Sequence, residues 1–221
     1  MKKILITGAN GQLGSELRVL AQKEAAFEWI FTDYQELDLC QLEQLPLRLS
    51  EIKPDYLINC AAHTAVDRAE NEEHLSDVLN HQAVAVMANW CEEHKAKFIH
   101  ISTDYVFDGN SSKALTETAT TGPINVYGKT KLAGEVACRN ENPDAIIIRT
   151  SWVYSSFGAN FVKTMSRLMQ ERESLNVVND QIGSPTYAAD LAKAIVAIIK
   201  HEHWQAGLYH FSNEGEISWF E

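Results

Sequence analysis

Short apolar runs alternate with amphipathic stretches along most of the chain. Residues 3–7 are continuously apolar, Gly8 to Gly14 break the run, and residues 16–22 continue with helical periodicity, which predicts a strand, a glycine loop and a helix. Residues 27–32 read as a second strand ending at Asp33, and 56–60 as a third, with Pro54 closing a helix over 42–52. The alternation continues with a long helix over 72–93, a strand 97–102, a helix 126–139 and a strand 145–149. Beyond Thr150 the rhythm weakens into a helix 160–172, a strand 175–178, a helix 188–200 and a strand 208–211. Ser218 followed by Trp219, Phe220 and Glu221 reads as an N-cap and the first turn of a helix. Strands that are apolar throughout are expected when helices cover both faces of a parallel sheet, so the pattern predicts an α/β, Rossmann-type doubly wound fold. Residues 1–150 would form a dinucleotide-binding domain, with 151–221 a substrate-binding lobe interleaved with it.

The 221 residues, at about 150 per domain, allow one sizeable core and a partial second unit. Composition, 45% hydrophobic and 22% charged, is that of an ordinary globular chain. A formal charge of -11 repels phosphate backbones and anionic lipid, which argues against nucleic acid and membrane partners. Cys40, Cys60, Cys91 and Cys138 are scattered, without metal-ligand spacing, and predict reduced, packed thiols and a cytoplasmic setting. No stretch approaches the roughly 18 apolar residues of a membrane helix, and the apolar run after Met1-Lys-Lys is too short for a signal peptide.

The loop Gly8-Ala-Asn-Gly11-Gln-Leu-Gly14 lies between a strand and a helix. Glycines at this spacing permit a tight turn, close approach of a pyrophosphate and packing of the helix on the strand, with the phosphate on helix-terminal amides. Gly8, Asn10, Gly11, Gln12, Leu13 and Gly14 are therefore candidate cofactor contacts. Asp33, at the end of the second strand, is placed to bond adenosine ribose hydroxyls, with Asp38 a competing acid; a carboxylate there opposes a 2′-phosphate, and NADH and NADPH both remain open.

Tyr127 and Lys131 stand at i and i+4 on one helix face. A cation beside a phenol lowers its pKa and makes Tyr127 a proton donor for carbonyl reduction. Thr103, at the end of the fourth strand, offers a second hydroxyl to the same oxygen. Other groups have plainer readings. His201 and His203 flank Glu202 at a solvated helix end, His63 sits in a loop, and Glu70, Glu72 and Glu73 begin a helix.

These motifs, with Asn59-Cys-Ala-Ala-His-Thr-Ala-Val-Asp67, Ser102-Thr-Asp-Tyr-Val-Phe-Asp-Gly109, Arg149-Thr-Ser-Trp-Val-Tyr154 and Asp180-Gln-Ile-Gly-Ser-Pro-Thr-Tyr187, resemble the extended short-chain dehydrogenase/reductase family. The resemblance implies NAD(P)H-dependent reduction of the C4 ketone of a dTDP-sugar, dTDP-4-dehydro-6-deoxy-L-mannose, to dTDP-L-rhamnose. Tyr127 would be the acid, Lys131 would lower its pKa and hold the nicotinamide ribose, and Thr103 would bond the reacting oxygen. Gly11, Gln12 and Leu13 would meet the pyrophosphate, Asp38 and Leu39 the adenosine, and Ala61, Ala62 and Thr64 the rest of the cofactor. Val66, Asp104 and Trp152 would face the deoxyhexose. Sugar-nucleotide dehydratases similarly carry a glutamate where this chain has Tyr105, which favours a reductase. The alternatives are an epimerase or dehydratase, and a non-catalytic regulatory subunit of the same fold. Ser155 replaces the glycine that relatives usually carry after the Trp-Val-Tyr run. Relatives also continue past Ser218-Trp219, so the substrate lobe is expected to be incomplete. Some members form homodimers around a magnesium ion held by carboxylates, one of which matches Glu16.

Overall fold

The structure, a computed structural model, describes every residue except Ser112 and Glu221. Strand β1 (Lys2–Thr7) leads through the glycine loop into α1 (Gln12–Ala21) and β2 (Phe27–Phe31), and α2 (Leu45–Ile52) leads to β3 (Tyr56–Asn59). Short helices α3 (Val66–Ala69) and α4 (Glu73–Asp77), a π turn over Val78–Gln82, and α5 (Ala83–His94) precede β4 (Lys97–Thr103). A 3-10 turn, Asp104–Val106, and α6 (Val126–Glu141) then lead to β5 (Ile146–Thr150). The remainder comprises β6 (Val153–Tyr154), α7 (Phe161–Glu171), β7 (Ile182–Gly183), β8 (Thr186–Tyr187), α8 (Ala188–Lys200), β9 (Gly207–His210) and β10 (Ile217–Ser218).

Six strands form one parallel sheet in the order β2-β1-β3-β4-β5-β9. The winding direction reverses between β1 and β3, and open α/β sheets bind ligands beyond the carboxyl ends at such a point. The two faces of the sheet are both apolar, as the continuous hydrophobic runs require. Leu5, Leu57, Phe98 and Ile147 pack against α2, α5 and Cys138 of α6. Ile4, Ile6, Ile58, Ile99 and Ile148 pack against Leu17 of α1 and Leu191, Ile195 and Ile199 of α8. Residues after 150 are divided between α8 and β9, which complete this body, and the small pairs β6–β8 and β10–β7. Among the described residues no helix is long and apolar enough to cross a membrane.

Three expected elements differ. Residues 175–178 form no strand: they are half-buried or exposed and pair with no neighbouring edge. Ser218 caps no helix; it ends β10, which pairs antiparallel with β7, and its hydroxyl donates to Asn179 Oδ1 at 2.8 Å. Glu221, the last residue of that expected turn, lies outside the described residues. The long helix 72–93 is interrupted by the π turn because Asn80, fully buried there, is engaged sideways. Its amide donates to the His63 carbonyl and to Thr130 Oγ1, both at 3.1 Å, and its Oδ1 accepts the His63 N–H at 2.8 Å.

Leu57 is fully buried in the sheet centre. Leu57→Ala is expected to lower the unfolding free energy by about 3 kcal/mol through lost transfer energy and an unfilled cavity. A denaturant melt monitored by circular dichroism measures this.

Candidate active site

A cleft of roughly 930 Å³ opens beyond the carboxyl ends of the sheet. At one end the glycine loop turns tightly. Gly8 has φ +64°, and a Cβ there would lie 2.7 Å from Ala61 Cα and N, so only glycine allows the loop to rest against the end of β3. Gly14 does not line the cleft; its missing side chain leaves room for the Gly8 carbonyl and Ala9 behind the loop. Gly11 precedes α1 with no side-chain cap, which leaves first-turn amides for a ligand. Gly8, Asn10, Gly11, Gln12 and Leu13 all face the cleft. Asp33 and Asp38 do as well, with Leu39. Asp33 braces the loop: its Oδ2 accepts the Asn10 N–H at 2.9 Å and its Oδ1 the Tyr34 N–H at 2.8 Å. Asp38 Oδ1 accepts the Cys40 N–H at 2.9 Å. A bare loop, uncapped amides and acids at the far edge fit the pyrophosphate and ribose of a dinucleotide.

Ala61, Ala62, Thr64 and Val66 form the middle wall, and Thr103, Asp104, Tyr127, Lys131 and Trp152 the other end. The start of α6 is held by Asn125, whose Oδ1 accepts the Gly128 N–H at 2.7 Å, and by Glu70, whose Oε1 accepts the Val126 N–H at 2.8 Å. Any side chain at Gly128 would collide with the Tyr105 carbonyl, so this glycine sets how closely α6 approaches the end of β4. Tyr127 is thereby brought beside Thr103 and under the Tyr105 ring, 5.4 Å away edge to face. The Thr103 hydroxyl accepts the Tyr105 N–H at 3.2 Å and donates to Asp104 Oδ1 at 3.0 Å. Burial raises the Asp104 carboxyl above its usual range.

The expectation that Lys131 lowers the Tyr127 pKa is not met in this arrangement. Burial pushes the phenol up to about 12, and the opposing influence is Thr103. Lys131 is turned to the sheet: Nζ donates to the Ile101 carbonyl at 2.6 Å and lies 3.3 Å from His100 Nε2. Burial brings its own pKa down to about 8. One turn further, buried Glu135 accepts from Arg149 Nε and Nη2 at 2.8 and 2.7 Å and from Ser102 Oγ at 2.6 Å. The sequence carries no local signal for this cluster, nor for the role of Trp219, which stacks on Trp152 at 3.8 Å and lines the cleft. Trp152 has φ +46°, and its ring lies so close to Gly183 that a Cβ there would come within 2.8 Å of it.

His63 serves the structure: Nδ1 lies 2.7 Å from Ser76 Oγ, which is fully buried, and Nε2 lies 2.9 Å from Glu72 Oε2. His201 and His203 are exposed beyond α8. Glu16 is buried and its Oε1 accepts from Ser155 Oγ at 2.6 Å. Among the described residues no three His, Cys, Asp or Glu side chains converge to hold a metal ion.

The model of the RmlD substrate binding domain family matches residues 1–221. The chain belongs to this family. Its relatives in it include the dTDP-4-dehydrorhamnose reductases of Escherichia coli, 44% identical over 99% of the chain and 75% of that protein, and of Aggregatibacter actinomycetemcomitans, 41% identical over 100% and 76%. The crystal structure of dTDP-4-dehydrorhamnose reductase from Bacillus anthracis in complex with NADP superimposes with a TM-score of 0.94 at 42% identity, covering 100% of the chain and 78% of that one. Membership of the RmlD family agrees with the cleft: the glycine loop and the Tyr127, Lys131, Thr103 group occupy opposite ends of one continuous wall.

Glu135→Ala would leave the Arg149 guanidinium buried without its carboxylate, a loss of about 3–5 kcal/mol. Chemical denaturation is expected to show it, with Glu135→Gln less damaging because the amide oxygen still accepts one hydrogen bond.

Proposed function

We propose that this chain reduces the C4 ketone of dTDP-4-dehydrorhamnose to dTDP-L-rhamnose at the expense of NADPH or NADH. The observation that carries the reading is the juxtaposition, in the cleft of an RmlD family chain, of the Tyr127 and Thr103 hydroxyls with Lys131 behind them. The bound nicotinamide supplies the hydride to the carbonyl carbon. Everything else falls to the protein. A ketone oxygen seated between Thr103 and Tyr127 is polarised by the Tyr127 hydroxyl and by the Thr103 hydroxyl once its proton turns from Asp104, and the charge it gains on reduction is neutralised by the Tyr127 proton. A phenol held near 12 is fully protonated at neutral pH, so Tyr127 is loaded as an acid before the reaction starts. Once it has given up the proton, the phenolate gains support from the Lys131 ammonium when Nζ turns from the Ile101 carbonyl toward Tyr127, and a pKa of about 8 keeps that ammonium predominantly charged at neutrality.

A dehydratase would need a further carboxylate base beside the substrate, and Tyr105 occupies that position without one. An epimerase or dehydratase regenerates its cofactor, whereas this reaction consumes one reduced nicotinamide per ketone. The Asp33 carboxylate opposes a 2′-phosphate, and the relative from Bacillus anthracis holds NADP at 42% identity, so both reduced cofactors are to be tried. A regulatory subunit has no need of the intact Tyr127, Lys131 and Thr103.

The test is oxidation of NADPH or NADH with dTDP-4-keto-6-deoxy-L-lyxo-hexose. Stoichiometric consumption is expected, and Tyr127→Phe should lose about 10²- to 10⁴-fold in kcat while still binding cofactor. Undiminished turnover in Tyr127→Phe removes the proposed acid, and product formation without net cofactor consumption points to an epimerase or dehydratase.

A further inference from the structure

Thr7, Asn59 and His100 are register partners on the adjacent strands β1, β3 and β4. Their side chains therefore form a row on the face that α6 covers, and all three are buried. The Thr7 hydroxyl donates to Asn59 Oδ1 at 2.6 Å, and the Ala61 N–H donates to the same oxygen at 3.2 Å. Two donors on that oxygen fix which way the amide points. Its NH₂ then faces His100 Nδ1 at 3.1 Å and makes that ring nitrogen an acceptor. A neutral His100 must carry its proton on Nε2, the atom 3.3 Å from Lys131 Nζ.

An ammonium has three donors and no acceptor, so the His100 N–H and a charged Lys131 oppose one another. A neutral amine can instead accept the His100 proton while donating to the Ile101 carbonyl. We propose that His100, held in one tautomer by Asn59, is a positioning residue that sets the orientation and proton load of Lys131. Its consequence for turnover rests on the reductase reading above.

The other groups facing Lys131 have definite roles. Glu135, one turn on and already held by Arg149 and Ser102, favours the ammonium. Cys60 on the β3 side and Cys138 two turns along α6 are thiols kept neutral by burial. Tyr127 is one turn before Lys131 and likewise neutral. His100 itself is held well below its usual range, by burial and then by Lys131, and does not charge near neutrality. Lys131 is thus the group of this cluster that titrates close to working pH, near 8. On the reductase reading its protonated form, turned toward Tyr127, supplies the positive charge that a phenolate there needs, so turnover should fall as pH rises through that value.

The test uses the full chain without substrate. Two-bond nitrogen–proton NMR correlations on the wild type identify the His100 tautomer, and the Lys131 Cε shift followed with pH gives its midpoint. The Nε2–H tautomer is expected. In His100→Gln, whose amide oxygen can accept from the ammonium, the Lys131 midpoint should rise by about one pH unit. The alkaline limb of kcat should move with it, with KM for the sugar little changed. An Nδ1–H tautomer or an imidazolium in the wild type overturns the proposal, as does an unchanged midpoint in a folded variant. The tautomer is read on the unaltered protein, so it decides even where His100→Gln fails to fold. Both NMR readouts stand apart from whether any ketone is reduced.

Discussion

An ionisable row buried against an apolar sheet is the constraint on which this molecule depends. Helical spacing puts Tyr127, Lys131 and Glu135 of α6 on one face, and packing turns that face toward β4 and β5. Each group would be costly to bury alone. The sheet therefore has to answer residue by residue. Arg149 and Ser102 meet Glu135, the Ile101 carbonyl and His100 meet Lys131, and Tyr127, last in the row, is left at the cleft with Thr103 for company. The chemistry sits where the row reaches the open end of the sheet.

The same contacts tie the two ends of the cleft together. Asn59 Oδ1 receives the Ala61 N–H, and Ala61 is the residue against which Gly8 rests. The glycine loop and the lysine are thus both referred to the end of β3, one through backbone contact and the other through Asn59 and His100. A shift of β3 would disturb the Gly8–Ala61 contact and the Asn59–His100 contact at once. Close packing of the sheet on α5 and α6 makes such a shift expensive in the first place.

Much of this was legible in the sequence. Continuous apolar runs between helical patterns specify a parallel sheet covered on both faces, and the glycine loop and the Tyr127, Lys131 spacing carry their meaning locally. What escaped was non-local. Residues 175–178 have strand composition but no edge to pair with, and Ser218 resembles a helix cap but meets β7. The π turn is caused by Asn80 reaching His63 and Thr130, contacts between segments far apart in the chain. Thr7, Asn59, His100, Ser102 and Arg149 each look like one polar residue inside or ending an apolar strand. Their signal is collective: on each of four strands, the positions that alternate with the opposite apolar face turn polar toward the carboxyl end.

The charge of the chain gains a sharper meaning from this arrangement. A formal -11 works against long-range attraction of a nucleotide sugar or a dinucleotide, both anions. The cleft itself carries Asp33, Asp38 and Asp104, and its cation, Lys131, is 1% exposed. Lys131 therefore cannot steer ligands from solution; it acts on what has already arrived. On the proposed reading, phosphate recognition falls to the uncapped amides at the start of α1, which carry partial positive charge of short range. Binding governed by such amides depends on geometry at contact and only weakly on ionic strength. On the proposed reading, that suits a site whose cation, Lys131, serves the proton transfer that accompanies the hydride.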